Sequence, residues 1–239
     1  MTCPPPLSRR RRRIVAAAAA LAAAVAQPGL AQTARRALRQ MTDGPFYPPA
    51  PWRAQWSDWD ADLTRVAAAA GGTWVARGEH LGLALAVLDT RGRAIDGAEV
   101  EIWQCDTLRS YRHPDVPRQP AQQGTSFDPG FQGFGAARSN SRGEVSFRTI
   151  RPVAYPGRTP HIHVKVRHVE FGEWTSQLFV AGEAGNARDF LWRSLPPEDR
   201  AALEMRLAKP PPGAAAAAPA AADAPALAWA ARHELVVPA

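Results

Sequence analysis

Five short strand-like runs, punctuated by Gly, Pro and Asp turns, lie between Leu81 and Val180, and that spacing leaves few folds open. Leu81 to Leu88 is almost continuously apolar and ends at the turn signal Arg91-Gly92. Ala98 to Trp103 reads AEVEIW, which puts Val100 and Ile102 on one face and Glu99, Glu101 and Trp103 on the other. Glu144 to Ile150, following the turn signal Asn140 to Gly143, and His161 to Val169 alternate again, and Gln177 to Val180 adds a fifth run. Strands at this interval predict an all-β fold: an antiparallel β-sandwich with long active-site loops and a few short helices, not a chain of βαβ units.

The rest of the chain divides around this core. Residues 1–31 read as an export signal and residues 32–72 as an N-terminal extended segment. Residues 73–209 are read as the sandwich, 210–225 as an Ala/Pro-rich linker, and 226–239 as a returning C-terminal strand centred on Leu235 to Val237. Thr42 to Pro51 (TDGPFYPPAP) is extended, because each proline biases its predecessor away from helix. Asp60 to Ala70 fits a short helix stopped by Gly71-Gly72, and Asn186 to Leu195 and Pro197 to Lys209 fit two more. Arg109 to Ala137, rich in Pro, Gln and Gly, reads as one long irregular loop, and a loop of that length in a compact domain usually carries function.

Charge decides which partners to expect. The formal net charge of +7 resembles a nucleic-acid signal, but five of the basic residues form the block Arg9 to Arg13. That block precedes the apolar run Ile14 to Ala26, which in turn precedes small residues suited to cleavage at Ala24 and Ala26 or at Gly29 and Ala31. Removal of residues 1–31 leaves a nearly balanced chain at +2, so no nucleic-acid partner is expected, and no membrane association after cleavage. The implied destination is periplasmic or secreted, and the arginine run suits either general secretion or the twin-arginine route. Cys3 departs with the signal, which leaves Cys105 with no cysteine to pair with.

The chemistry concentrates in RPVAYPGRTPHIHVKV, residues 151–166. His161 and His163 stand at i and i+2 of a strand-like run, so both imidazoles project to one face. The pair alone fits two readings: half of a metal site, or the polar outer edge of a half-buried strand. Tyr155 lies just upstream in a Tyr-Pro-Gly turn, and Tyr111 opens the long loop. Phenol and imidazole donors with few carboxylates suit ferric iron better than zinc, because a metal can hold tyrosine as phenolate.

The ordered set TDGPFYPP, LDTRGRAIDGAEVEIWQCDTLRSYRH, FQGFG, RTIRPVAYPGRTPHIH and SQLFVAGE resembles the intradiol ring-cleavage dioxygenases, closest in pattern to the protocatechuate 3,4-dioxygenase type. The resemblance runs from about Thr42 to Leu195. It implies a β-sandwich that holds non-haem Fe(III) through Tyr111, Tyr155, His161 and His163. It also implies a small aromatic diol and O2 as reactants, and a muconate-type diacid as product. In the implied chemistry Tyr155 is released on substrate binding to act as a base, Arg158 supports developing negative charge, and Gln177 stands behind the metal and substrate. A homo-oligomer stays open. Two other readings compete: a catalytically silent β-sandwich binding module, and a cupin-like HxH metal enzyme. The cupin pattern expects a glutamate a few residues on, where this chain has Arg167 and His168.

Overall fold

A computed structural model of the protein describes residues 35–56, 58–115, 127–210 and 224–239. The export signal read over residues 1–31 and most of the 210–225 linker lie outside the described residues. The order of elements is α1 (Ala50–Arg53), β1 (Arg65–Ala67), β2 (Thr73–Val75), β3 (His80–Asp89), β4 (Glu99–Trp103), β5 (Phe134–Arg138) and β6 (Glu144–Ile150). Then follow β7 (His161–His168), β8 (Gly172–Val180), a 3-10 turn Asn186–Arg188, α2 (Phe190–Ser194), α3 (Pro197–Leu203), β9 (Glu204–Met205) and β10 (Trp229–Val237).

These strands form the expected β-sandwich. A five-stranded sheet in the order β5-β4-β7-β8-β9 packs against a three-stranded sheet in the order β10-β3-β6. Leu81, Leu83, Leu85, Val87, Val145 and Phe147 on one side share a buried core with Val100, Ile102, Ile162, Val164, Val166 and Leu178 on the other. Alternation sets this directly in β3, β4, β6 and β7, where every second residue along these inward-facing stretches is apolar. Most pairings are antiparallel, but β10 runs parallel to β3 from Trp229↔Leu81 to Val237↔Asp89, and β9 runs parallel to β8. The C-terminal strand is therefore longer than Leu235 to Val237.

The helix read over Pro197 to Lys209 stops at Leu203, where β9 begins, and two further expectations fail for physical reasons. Asp60 to Ala70 contains no helix; β1 and β2 form a small antiparallel hairpin instead. Helix propensity in an alanine-rich stretch is worth only tenths of a kcal/mol per residue. Here it is outweighed by Gly71 and Gly72, both at positive φ (91° and 86°), and by Leu63, which is fully buried. Leu63 donates its N–H to the Arg148 carbonyl (2.8 Å), and its own carbonyl accepts from Gln132 N–H (2.8 Å). Likewise, Arg109 to Ala137 is not irregular throughout, because β5 pairs with β4 from Phe134↔Trp103 to Arg138↔Glu99. FGAAR lacks the alternation that marks the other strands, so its partner rather than its sequence makes it a strand.

Phe147 has no exposed surface and sits at the centre of the shared core. Phe147→Ala is expected to cost about 3–5 kcal/mol of stability, measured by denaturant unfolding of the otherwise intact protein.

Candidate active site

The side of β7 opposite the core carries His161, His163, Lys165 and Arg167, and register places each against a defined neighbour. Across β4, Trp103 faces His163, Glu101 faces Lys165 and Glu99 faces Arg167. Across β8, Phe179 faces His161, Gln177 faces His163, Thr175 faces Lys165 and Glu173 faces Arg167. This outer face is not an open polar edge: His161, His163, Lys165, Glu101 and Gln177 are all buried.

The cover is the N-terminal extended segment, held at the charged end of the face. Glu101 accepts hydrogen bonds from Tyr47 Oη (2.7 Å), Arg53 (3.0 Å) and Arg167 (2.7 Å). Lys165 Nζ binds Asp43 (2.7 Å) and Glu173 (3.0 Å), and Thr175 Oγ1 donates to the other oxygen of Asp43 (2.8 Å). With Asp43 fixed, the chain passes over the uncharged end of the face, where Phe46 stacks on Tyr111 at 4.7 Å between ring centres. Tyr47 packs edge-on against Trp103 at 4.9 Å.

At that uncharged end four donors converge. His161 Nε2 and His163 Nε2 lie 3.3 Å apart, and the Tyr111 hydroxyl lies 3.3 Å from His163 Nε2. The Tyr155 ring is 5.7 Å from that of Tyr111 and 5.6 Å from that of His161. The structure thus gathers Tyr111, Tyr155, His161 and His163, with Arg158 and Gln177 beside them: Arg158 Nη2 donates to Gln177 Oε1 at 2.6 Å. Among the described residues no group of three or more His, Cys, Asp or Glu comes together to hold a metal.

Each donor is placed by local structure. His161 Nδ1 bonds the Thr159 carbonyl (2.6 Å), which fixes the proton on Nδ1 and turns the Nε2 lone pair inward. His163 is set by packing instead, its ring lying parallel to Trp103 at 4.7 Å and 10°. Tyr155 sits on a tight turn closed by reciprocal hydrogen bonds between Tyr155 and Arg158, with Pro156 and Gly157 (φ 81°) at its centre. Tyr111 follows a turn organised by Asp106, whose Oδ1 accepts from Leu108 and Ser110 N–H (both 2.9 Å). Asp106 Oδ2 accepts from Asp128 N–H at 2.7 Å, tying the far end of the loop to its start.

Burial sets the protonation states. It lowers His161 to about 4, helped by the charge of Arg158 and opposed by the Thr159 carbonyl and Asp189. Burial, His161 and Arg158 together hold His163 well below its ordinary value. Both imidazoles are therefore neutral near pH 7 and able to donate lone pairs. Burial and then Tyr155 push Tyr111 well above the usual phenol range. Burial also raises Tyr155, but Arg158 opposes the rise. A multivalent cation accepts lone pairs from both imidazoles at once and favours ionisation of the phenols where burial opposes it. The donor set fits ferric iron.

A family model described as "Dioxygenase" matches residues 49–217, more than half of the chain. The chain belongs to the intradiol ring-cleavage dioxygenase family. It is 31% identical to the protocatechuate 3,4-dioxygenase beta chain of Burkholderia cepacia over 159 residues, 62% of this chain and 63% of that one. It is 27% identical to catechol 1,2-dioxygenase of Candida albicans over 113 residues, 40% of this chain and 34% of that one. The alignments therefore span less than two thirds of either relative. In fold, the chain is similar to the dioxygenase domain of a dioxygenase carbohydrate-binding fusion from Streptomyces sp. SirexAA-E. There the TM-score is 0.55 at 23% identity, covering 85% of this chain and 99% of that domain.

Sequence reasoning passed over three residues that shape this family site here. Trp103 and Asp106 carry no chemical signal in the sequence, yet one stacks on His163 and the other builds the turn that delivers Tyr111. Asp189, which binds Arg158, carried no signal beyond that of an ordinary helix cap.

Glu101 has 2% of its surface exposed and serves three donors, so its removal takes the acceptor from Arg53 and the Tyr47 hydroxyl, while Arg167 keeps Glu99 and Glu173. Glu101→Ala is expected to destabilise the protein by about 3 kcal/mol, read from chemical denaturation. It should also loosen the segment over Tyr111, read as faster proteolysis between residues 43 and 53.

Proposed function

We propose that the protein is a non-haem Fe(III) enzyme that opens the ring of a catechol-type aromatic diol between its two hydroxylated carbons. It uses O2 and forms a muconate-type diacid. The observation that carries this reading is the convergence of two neutral imidazoles, one buried and one half-buried phenol beside one arginine, in a chain of the intradiol family.

In this reading Tyr111, Tyr155, His161 and His163 hold the iron, both tyrosines as phenolates. The bound ion supplies Lewis acidity that draws a diol into its doubly deprotonated form. The chain's residues do the rest. Tyr111, 5% exposed and stacked under Phe46, is the fixed phenolate. Tyr155, half-buried on its Pro-Gly turn, is the one free to swing aside and take a proton from the substrate hydroxyl. Arg158 extends its guanidinium toward the same side and stabilises negative charge that develops on the ring in a water-poor setting. Gln177 holds that guanidinium by accepting from Nη2. We further propose that residues 1–31 direct export to the periplasm or outside the cell, with cleavage near Gln32.

The test is to supply catechol and protocatechuate to the iron-loaded protein and follow O2 uptake together with the ultraviolet absorbance of the product. Equal consumption of O2 and diol with a diacid product supports the reading, and a ring-opened semialdehyde or no uptake contradicts it. His161→Ala and His163→Ala are each expected to abolish iron retention, measured by metal analysis after dialysis; full occupancy in both would refute the ligand assignment. Arg158→Ala is expected to keep its iron and lose roughly 10²–10³-fold in turnover, and near-normal turnover would remove Arg158 from the chemistry.

A further inference from the structure

The most completely engaged polar group near the site belongs to Asp189, at the junction of the 3-10 turn and α2. Its side chain has no exposed surface, and its two oxygens accept four hydrogen bonds. Oδ1 accepts from the backbone N–H groups of Leu191 (2.9 Å) and Trp192 (3.0 Å), capping α2. Oδ2 accepts from Arg158 Nε (2.9 Å) and from the backbone N–H of Thr159 (2.9 Å). Capping a helix as short as α2 needs only the first oxygen. The second is committed to the arginine and to the residue whose carbonyl orients His161.

We propose that Asp189 is a positioning residue that aims Arg158 at the reacting diol, an inference that rests on the reading of Arg158 given above. An arginine side chain has four rotatable torsions and, left alone, samples many of them. Here its Nε edge is fixed by Asp189 and its Nη2 by Gln177, while the side of the group nearest the site contacts Tyr155. Two anchors at different nitrogens define the plane of the guanidinium, so its direction is set before substrate arrives. Phe190, the first residue of α2, lies under the same guanidinium at 5.5 Å, so the helix that Asp189 caps also supplies a third contact.

Asp189 also answers an electrostatic problem. A cationic arginine next to a trivalent ion repels it, and Arg158 already depresses both histidines. Asp189 acts in the opposite direction at His161. The carboxylate offsets part of the Arg158 charge at its Nε edge. Thr159 has an independent hold, because its hydroxyl donates to Asn186 Oδ1 at 2.7 Å and Asn186 is anchored in turn to the Val180 carbonyl at 3.0 Å. Loss of Asp189 therefore spares the histidine side of the site.

The experiment compares Asp189→Asn and Asp189→Ser in the wild-type and Arg158→Ala proteins. Asparagine keeps one accepting oxygen where the carboxylate has two, so it cannot accept from both the α2 cap and Arg158, whereas serine keeps an oxygen for capping α2 but is too short to reach the arginine. Both single variants are expected to fold and retain iron but to melt lower than wild type, because a fully buried carboxylate with four donors is lost. Both should bind catechol anaerobically at least about 10-fold more weakly and turn over roughly 10²-fold more slowly, as for loss of one oriented donor. In the Arg158→Ala background the same changes should have less than about a 2-fold effect, because the group they aim is gone. Equal losses in both backgrounds, or single variants within 2-fold of wild type in binding and turnover, overturn the proposal while leaving the role of Arg158 intact. If Arg158→Ala itself turns over normally, the reading of Arg158 fails and the positioning role with it.

Discussion

Two imidazole nitrogens held 3.3 Å apart on one strand, away from water, are the constraint around which this protein is arranged. The contact is buried, and both rings are held neutral there. It persists because β7 is the central strand of its sheet, fixed by β4 on one side and β8 on the other, so neither histidine can retreat without breaking two ladders. A strand is the economical way to set this spacing: residues i and i+2 project to the same side, and the pleat does the rest. The two phenols come from separate turns and meet the histidines from above, each turn stabilised by its own local hydrogen bonds.

The same face of the sheet separates its two kinds of polarity along the strands. His161, His163, Gln177 and Trp103 carry no formal charge in the folded protein, whereas Glu99, Glu101, Lys165, Arg167 and Glu173 carry full charges one and two residue pairs further along. The charged end serves as a fastening for the N-terminal segment through Asp43, Tyr47 and Arg53, and the uncharged end gathers the imidazoles and phenols. The C-terminal strand contributes from the other sheet, closing the core behind the site by pairing along the whole of β3.

Much of this was legible in the residues. Strict alternation in AEVEIW and HIHVKV assigned each side chain to a face, and a shared face for His161 and His163 follows from spacing alone. The assignment of faces did not reveal burial: Glu101 and Lys165 look like solvent-facing residues until a segment more than 50 residues upstream of Glu101 is laid over them. Sequence reasoning also lost elements whose existence depends on a distant partner, such as β5, which has little alternation of its own. The hairpin of β1 and β2 was misread because alanine and aspartate suggested a helix start, while the decisive signal was the pair Gly71-Gly72 at positive φ. Asp189 was invisible for a different reason. A capping aspartate is common before a short helix, and only the fold shows that its second oxygen reaches back 31 residues to Arg158.

The central claim is that two tyrosines and two histidines of this chain hold ferric iron, and the visible spectrum of the purified protein tests it most directly. Tyrosinate bound to Fe(III) absorbs visible light and colours a protein red-brown. The account predicts that band in the wild type and its persistence in Tyr155→Phe, with Tyr111→Phe changing the band of the diol complex, since Tyr111 is the phenolate that stays bound. A protein that retains ferric iron without any phenolate band, or a diol complex altered by Tyr155→Phe and untouched by Tyr111→Phe, would contradict it.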